Sequence, residues 1–180
     1  MILAVDVSYV NGKAVAAGVL YEQWESDAPT AELAVEIKHV AEYVPGQFYL
    51  RELPCIQKLI ENVGQPVECL VIDGYVTLGE AKIPGLGMHL WEALGTRVKV
   101  IGVAKSRFHG TSDNAKLYRG ASKTPLYITA AGLSLDEAKL CIESMAGEYR
   151  MPTLLKRVDQ LSRGILLTET VPRKRPTKSR

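Results

Sequence analysis

The chain has 180 residues, of which 47% are hydrophobic and 23% are charged. This length and composition predict a soluble globular protein with one domain and a real core. No apolar run approaches the ~20 residues of a membrane-spanning helix. Met1–Val5 leads directly into Asp6, without the pattern of a signal peptide. We therefore expect a cytoplasmic protein with no membrane partner.

Cysteine usage agrees with a reducing compartment. Cys55, Cys69 and Cys141 are far apart in the chain and lack the spacing of a zinc site. We expect them to be buried, reduced thiols.

The net charge of +2 is unevenly distributed along the chain. The last ten residues hold five Lys or Arg and no acid, which leaves the first 170 residues with a net charge of −3. Residues 1–170 therefore do not have the broadly basic composition of many nucleic-acid-binding proteins. Residues 166–180 are predicted to form a basic, flexible tail. The tail either contacts a phosphate backbone without sequence preference or is a solvated end.

The first third of the chain predicts three antiparallel strands and a helix. The strands are expected at Met1–Val7, Ala14–Tyr21 and Ala31–Val40, with Asn11-Gly12 as a hairpin turn between the first two. Pro54 is expected to open the helix, because proline is tolerated in the first turn. Glu52 then lies just before the helix, where a charge favoured by the helix dipole is the simplest interpretation.

Strands and helices alternate in the rest of the chain. Further strands are predicted at Glu68–Gly74, Val98–Val103 and Pro125–Ala131, with short loops or helices between them. A capping box at Ser134 opens a helix to about Met145, and a last helix runs from Met151-Pro152-Thr153 to about Arg163. This order predicts an α/β, ribonuclease H-like mixed sheet, with antiparallel opening strands followed by parallel strands and flanking helices. The domain is expected to span residues 1–165, an assignment made by analogy at the level of the fold.

Two carboxylates follow buried strands. Asp6 and Asp73 each come at the end of a short apolar run, and the carboxyl edge of such strands is where ligands bind in open α/β sheets. Side by side they would repel each other, and a divalent cation is the usual remedy. A single Asp at such a position is more often a turn or helix cap. The pair favours a metal site.

Six segments in order resemble the endonuclease V family, the nucleases of deaminated bases. The matching segments are Asp6-Val7-Ser8, Tyr43-Val44-Pro45-Gly46, Phe48–Pro54, Val71-Ile72-Asp73-Gly74, Ile101–Arg107, and Pro125–Ile128 with Tyr149–Pro152. The similarity as a whole covers nearly all of residues 1–163. The resemblance implies a metal-dependent endonuclease that cleaves the second phosphodiester bond 3′ to inosine or deoxyinosine in DNA or RNA. Its cofactor would be Mg²⁺ or Mn²⁺.

The resemblance also implies roles for individual residues. Asp6, Asp73 and Glu52 would hold the metal, and Lys105 would meet the charge developing on the phosphate, although a lysine after a strand is often only a surface residue. Nucleic acid would contact Arg107, His109 and the turn Tyr43-Val44-Pro45-Gly46. In that turn, Tyr43 would fill the gap left by an extruded base, or else pack in the core.

The chain departs from the family pattern at two histidines and at its start. A catalytic histidine of the family falls on Ala131, and a His-Pro-Arg stretch is replaced by a loop that contains Glu80 and Lys82. His89 matches a histidine with a structural role, and the chain begins at the first strand. Asp136 is a candidate for a fourth metal-facing group on a late helix; the alternative is that it complements the helix dipole.

These departures keep three functions open. The first is the inosine-specific endonuclease. The second is an endonuclease V-like protein that binds nucleic acid with weak or no cleavage, as the missing histidines and the basic tail suggest. The third is a nuclease of the same fold that recognises a different, structure-specific substrate, because unrelated chemistries share this fold.

Overall fold

The computed structural model describes residues 1–38, 40–42 and 44–164. The predicted tail and the ring of Tyr43 therefore lie outside the described residues. The strands are β1 (Ile2–Val10), β2 (Lys13–Tyr21), β3 (Ala31–Ile37), β4 (Cys69–Asp73), β5 (Thr77–Leu78), β6 (Ile83–Pro84), β7 (Lys99–Ala104), β8 (Lys116–Leu117) and β9 (Leu126–Ala131). The helices are α1 (Tyr49–Ile60), α2 (Leu86–Ala93), α3 (Leu135–Ser144) and α4 (Thr153–Ser162).

Seven strands form one mixed sheet in the order β3-β2-β1-β4-β7-β9-β8. The opening strands β1, β2 and β3 are antiparallel, and β1, β4 and β7 are parallel neighbours at its centre. Strands β8 and β9 complete the sheet with antiparallel pairs. The mixed, ribonuclease H-like sheet predicted from the sequence is therefore confirmed.

Hydrophobic cores cover both faces of the sheet. One core lies under α3 and α4, and includes Ile101, Ile128 and Leu154. The other lies under α1 and α2, and includes Leu3, Leu59 and Leu70. Central strands read as continuous apolar runs because they are buried on both sides. No helix among the described residues is long and apolar enough to cross a membrane.

The turn between β1 and β2 has the predicted form. Asn11 and Gly12 have φ values of 51° and 77°, the pair of positive values that a type I′ hairpin turn requires. Val10 pairs with Lys13 across it, so β1 continues three residues past the expected end at Val7. Strand β1 therefore extends beyond Asp6 by four residues.

Helix α1 begins five residues earlier than predicted. Backbone hydrogen bonds to Gln47 and Phe48 start the helix, and Pro54 lies inside it. Because proline lacks only its own N–H, the helix loses one bond, to the carbonyl of Leu50. The earlier start places Glu52 in the first turn of α1 and on its buried face, with Cys55, Ile56 and Leu59. Glu52 therefore points towards the sheet and is more than a flanking charge.

Candidate active site

Asp6 and Asp73 lie side by side at one edge of the sheet. Val5 of β1 pairs with Ile72 of β4 in a parallel register, so the next residue of each strand reaches the same edge. Gly74, with a φ of 140°, then turns the chain across β7. There a Cβ on Gly102 would lie 2.6 Å from the Gly74 carbonyl oxygen. Glycine at position 102 therefore allows the close crossing that ends β4 at Asp73.

Glu52 approaches this pair from the α1 side of the sheet. Together with Asp6 and Asp73 it lines a small pocket. Its side chain is 8% exposed. Burial, together with the charges of Asp6 and Asp73, raises the pKa of Glu52 to about 8, and the positive charge of Arg51 opposes this shift. Three carboxylates thus share a small volume in which their negative charges disfavour one another.

A fourth carboxylate, Asp159, approaches from the opposite face of the sheet on α4. Lys105, which directly follows β7, lies between the two sides. Its Nζ is 2.5 Å from Oδ2 of Asp73 and 3.4 Å from Oδ1 of Asp159. Burial lowers the pKa of Lys105, but the hydrogen bond and charge of Asp73, helped by Asp159, outweigh it and raise the pKa. Lys105 is therefore a charged ammonium in contact with two carboxylates.

The pKa of Asp6 is affected both by the neighbouring strand β4 and by helix α4. Burial raises the pKa of Asp6, a hydrogen bond from Ser162 opposes this, and the charges of Asp73 and Asp159 raise it again. With Lys105, the three aspartates line a second small pocket beside α4. The predicted residues Asp6, Glu52, Asp73 and Lys105 are thus brought together in space.

Asp136 is not near the site, so its proposed role as a metal-facing group was wrong. Strand β9 is antiparallel to β7, and its last residue, Ala131, pairs with Val100 near the start of β7. The chain therefore leaves β9 at the edge opposite Asp73. Asp136 follows there as an exposed residue in the first turn of α3. The alternative interpretation, a charge that complements the helix dipole, agrees with this position.

Ala131 is likewise far from the carboxylates. It is 6% exposed and packs in the core under α1 and α2. A histidine at this position would face the other end of the sheet. Alanine at position 131 therefore does not mean that the carboxylate site lacks a histidine.

Asp159 is the functional candidate that the sequence analysis missed. It is the only acidic residue of α4, TLLKRVDQLS, and lies four residues after Leu155 at the border of the buried face of the helix. A lone acid bordering an apolar stripe was the available signal. Asp159 was overlooked because the direction of β9 decides whether α3 or α4 reaches the site, and this direction is not visible in the sequence.

The comparison of Asp159 with Asp136 gives a direct test. For the metal-dependent phosphodiester cleavage expected from the sequence, Asp159→Asn should lower the rate about 10- to 100-fold or more, because it removes a carboxylate from the cluster. Asp136→Asn should leave the rate within about twofold, since it changes only an exposed helix terminus. Cleavage rates at saturating Mg²⁺ measure both. Equal losses in the two variants would contradict the assignment.

A groove of about 710 Å³ leads to the carboxylates from the side of the predicted nucleic-acid turn. Val44-Pro45-Gly46-Gln47 is a type II turn, with Gly46 at a φ of 79° and a hydrogen bond from Gln47 N to Val44 O. The groove is lined on one side by Gly46, Phe48 and Tyr49, and at its end by Glu52 and Asp73. Val44 and Phe48 are more than 40% exposed. The turn therefore presents apolar groups beside the site.

The loop after Lys105 is bonded to Tyr75, which lines this groove. The hydroxyl of Tyr75 donates to the carbonyl of Ser106 at 2.8 Å and accepts from the N–H of Phe108 at 3.0 Å. Arg107 donates to the carbonyl of Thr111 and forms an ion pair with Asp113 at 3.1 Å. His109 lies in an exposed turn. Arg107 and His109 are thus on the same loop as Lys105, as expected, but away from the four carboxylates.

The remaining polar residues around the groove have structural positions. The ring of His89 on α2 stacks on Tyr49 of α1, with centroids 3.7 Å apart. Glu80 and Lys82 lie in the exposed tip between β5 and β6, where the N–H of Lys82 bonds to the carbonyl of Gly79. Neither replaces a histidine inside the carboxylate cluster.

The donor set fits a divalent cation of the Mg²⁺ type. Among residues 1–38, 40–42 and 44–164, no three His, Cys, Asp or Glu side chains are already arranged as around a bound ion. The ammonium of Lys105 instead contacts Asp73 and Asp159. The chemistry of the group is nevertheless that of a hard-cation site, with oxygen ligands only and with negative charges that repel one another. A small movement of the Lys105 side chain would free two carboxylates.

A ribonuclease H-like protein with a carboxylate cluster at the sheet edge is defined by three features: the sheet order, Asp6 and Asp73 on neighbouring strands, and the helices that carry Glu52 and Asp159. The family model described as Endonuclease V matches residues 1–160. The chain therefore belongs to the endonuclease V family.

Individual relatives support this membership along the whole domain. The chain is 28% identical over 195 residues to an endonuclease V of Streptomyces avermitilis, covering 94% of this chain and 82% of the relative. The crystal structure of endonuclease V from Streptomyces avermitilis superposes with a TM-score of 0.71 at 26% identity, over 91% of this chain and 79% of that one.

A more distant neighbour supports the fold. The Ciona intestinalis endonuclease V, solved in complex with a 24mer DNA containing an inosine followed by a ribo-adenosine, has a TM-score of 0.74. The two chains are 20% identical, and the match covers 91% of this chain and 84% of the other.

Proposed function

We propose that this protein is a metal-dependent endonuclease that hydrolyses a phosphodiester bond 3′ to a deaminated base, inosine or deoxyinosine, in DNA or RNA. The observation that supports this most is the convergence of Asp6, Glu52, Asp73 and Asp159 from two strands and from helices on both faces of the sheet. Membership of the endonuclease V family supports the same substrate class.

Asp6 and Asp73 are the residues that would hold Mg²⁺ or Mn²⁺, with Glu52 and Asp159 beside them. When bound, such an ion polarises the phosphoryl oxygen and activates the attacking water. The ammonium of Lys105 would then be free to stabilise the negative charge that develops on the phosphoryl group. It is held near that position by its place directly after β7.

The groove beside the carboxylates suits a nucleotide turned out of its strand. Turning out a base costs a few kcal/mol, and apolar groups inserted into the stack offset part of this cost. The exposed turn of Val44, Pro45 and Gly46 lies where such a group is needed. We propose that it contacts the strand next to the lesion, together with Tyr43, and that Arg107 and His109 contact phosphates from the loop that follows Lys105.

The decisive experiment is cleavage of a single-stranded oligonucleotide that contains one inosine, as DNA and as RNA, with Mg²⁺ and then Mn²⁺. An inosine-free strand and the variant Asp73→Ala are the controls. We expect metal-dependent and inosine-dependent cutting that is lost in the variant. Efficient cutting of the inosine-free strand or of a branched duplex would instead favour a structure-specific nuclease. Binding without cutting under either metal would contradict the proposal and leave a nucleic-acid-binding protein.

A further inference from the structure

Ser162, the last residue of α4, contacts the candidate metal-binding residue Asp6. Its side chain is buried, with 1% of the residue exposed. The Oγ of Ser162 donates a short hydrogen bond to Oδ2 of Asp6. The same Oγ lies 2.9 Å from the carbonyl oxygen of Asp159, one turn earlier in α4. A hydroxyl has one proton to donate, and the charged carboxylate is the stronger acceptor.

A second serine fixes Ser162 from the strand side. Ser8 lies two residues after Asp6 on β1, so both side chains point to the α4 face of the sheet. The Oγ of Ser8 donates to the carbonyl oxygen of Ser162 at 2.5 Å. The C-terminal end of α4 is thus bonded to β1 at two points, the carboxylate of Asp6 and the hydroxyl of Ser8.

The helix itself does not depend on these two bonds for its position. Its apolar face, including Leu154 and Val158, is buried in the core. Arg157 also forms a two-point ion pair with Glu32 of β3, with distances of 2.6 Å and 2.7 Å. Loss of the Ser162 hydroxyl should therefore leave α4 docked and change the site only locally.

From this geometry we infer that Ser162 is a positioning residue for the catalytic metal. Its hydroxyl donates a hydrogen bond to one carboxylate oxygen of Asp6 and so fixes the side-chain rotamer. In that rotamer the other oxygen of Asp6 is free to bind a cation. Partners that bond to ligating carboxylates typically contribute a factor of 10–100 in metal affinity or activity. The inference rests on the proposed function, because it assigns Asp6 to the metal. Nothing in the local sequence, QLSRG, marks this serine as part of the site.

The test compares Ser162→Ala with Ser144→Ala. Ser144 is the matched control, because it is also the last residue of a helix, α3, and its hydroxyl also bonds to a carbonyl one turn earlier, that of Cys141 at 3.0 Å. It is exposed and has no carboxylate partner in the described part of the chain. The probe is Mn²⁺ alone, and its binding is followed by electron paramagnetic resonance without nucleic acid.

We expect the Mn²⁺ dissociation constant of Ser162→Ala to rise about 10-fold or more, while that of Ser144→Ala stays at the wild-type value. In cleavage assays at fixed, subsaturating metal, kcat should fall in Ser162→Ala with KM for the oligonucleotide unchanged, because the groove is intact. Ser162→Cys keeps the packing with a weaker donor and carries the test if the alanine variant does not fold. Its affinity for Mn²⁺ should also fall.

Wild-type Mn²⁺ affinity in both Ser162 variants would overturn the inference, as would a wild-type protein that binds no Mn²⁺. The proposed function is tested separately. Inosine-dependent cleavage by the wild type, with unchanged Mn²⁺ binding in the variants, would refute only the role of Ser162. Weakened Mn²⁺ binding in the variants, without inosine cleavage by the wild type, would refute only the substrate.

Discussion

Replacement of Asp6 or Asp73 by asparagine is expected to abolish cleavage without unfolding the protein. Metal catalysis contributes several kcal/mol to transition-state stabilisation, which corresponds to a loss of about a thousandfold or more when a ligand is removed. The metal-free fold should be unaffected or stabilised, because Asp6 is half-buried near Asp73 and Asp159 and their negative charges destabilise one another. Single-turnover cleavage and thermal unfolding without metal measure the two effects.

The control for both substitutions is Asp136→Asn, which changes an exposed aspartate at the opposite edge of the sheet. It should retain cleavage and stability within about 0.5 kcal/mol. Wild-type cleavage by Asp6→Asn or Asp73→Asn would show that the site assignment is wrong. A loss of cleavage accompanied by unfolding would point to a purely structural role for these residues.

Glu52→Gln should stabilise the metal-free protein at neutral and alkaline pH and reduce cleavage. The pKa of Glu52 in the folded protein is about 8, above its ordinary value of 4.5. Between these values the folded protein keeps a proton that the unfolded chain has released. The free energy of unfolding therefore falls as pH rises from 4.5 towards 8, by at most about 1.4 kcal/mol per pH unit.

The glutamine variant cannot ionise, so this part of the pH dependence should disappear. At pH 8 we expect the variant to exceed the wild type by about 2–3 kcal/mol, with little difference below pH 4.5. Asp6, whose pKa is also raised, contributes in the same direction in both proteins. Cleavage should fall about 10- to 100-fold, because the group beside the metal loses its charge.

Urea unfolding at several pH values without metal tests this result, with Glu61→Gln as the control. Glu61 ends the same helix, is exposed, and pairs with Lys58 at the surface. Its substitution should change stability by less than about 1 kcal/mol at every pH. Adding Mg²⁺ at pH 8 should stabilise the wild type more than Glu52→Gln. Parallel curves of unfolding free energy against pH for the wild type and Glu52→Gln would show that folding does not raise the pKa of Glu52.

Most of the fold could be predicted from local patterns. Apolar runs ending in Asp6 and Asp73, the Asn11-Gly12 turn and the capping box at Ser134 are each specified by neighbouring residues, and each is present in the structure. Burial on both faces leaves an uninterrupted apolar run, and turns and caps require particular residue types. These features also placed the two strand-end carboxylates correctly at one edge.

The start of α1 was predicted less well, for a physical reason that affects the site. Proline is commonest in the first turn of a helix, and this preference set the expected start at Pro54. The preceding type II turn instead leads into Phe48, where the helix begins. The buried face of α1 easily outweighs one missing hydrogen bond. That longer helix is what turns Glu52 towards Asp6 and Asp73.

The sequence by itself determined the central strands, the aspartates that follow their apolar runs and the lysine after β7, because these depend on residues adjacent in the chain. Only the tertiary structure decided which late helix reaches the site. Strand β9 pairs antiparallel with β7, which sends Ala131 and Asp136 to the far edge and returns α4, with Asp159 and Ser162, to the carboxylates. Strand direction depends on pairing between segments distant in sequence, and no local pattern around Asp136 or Asp159 records it.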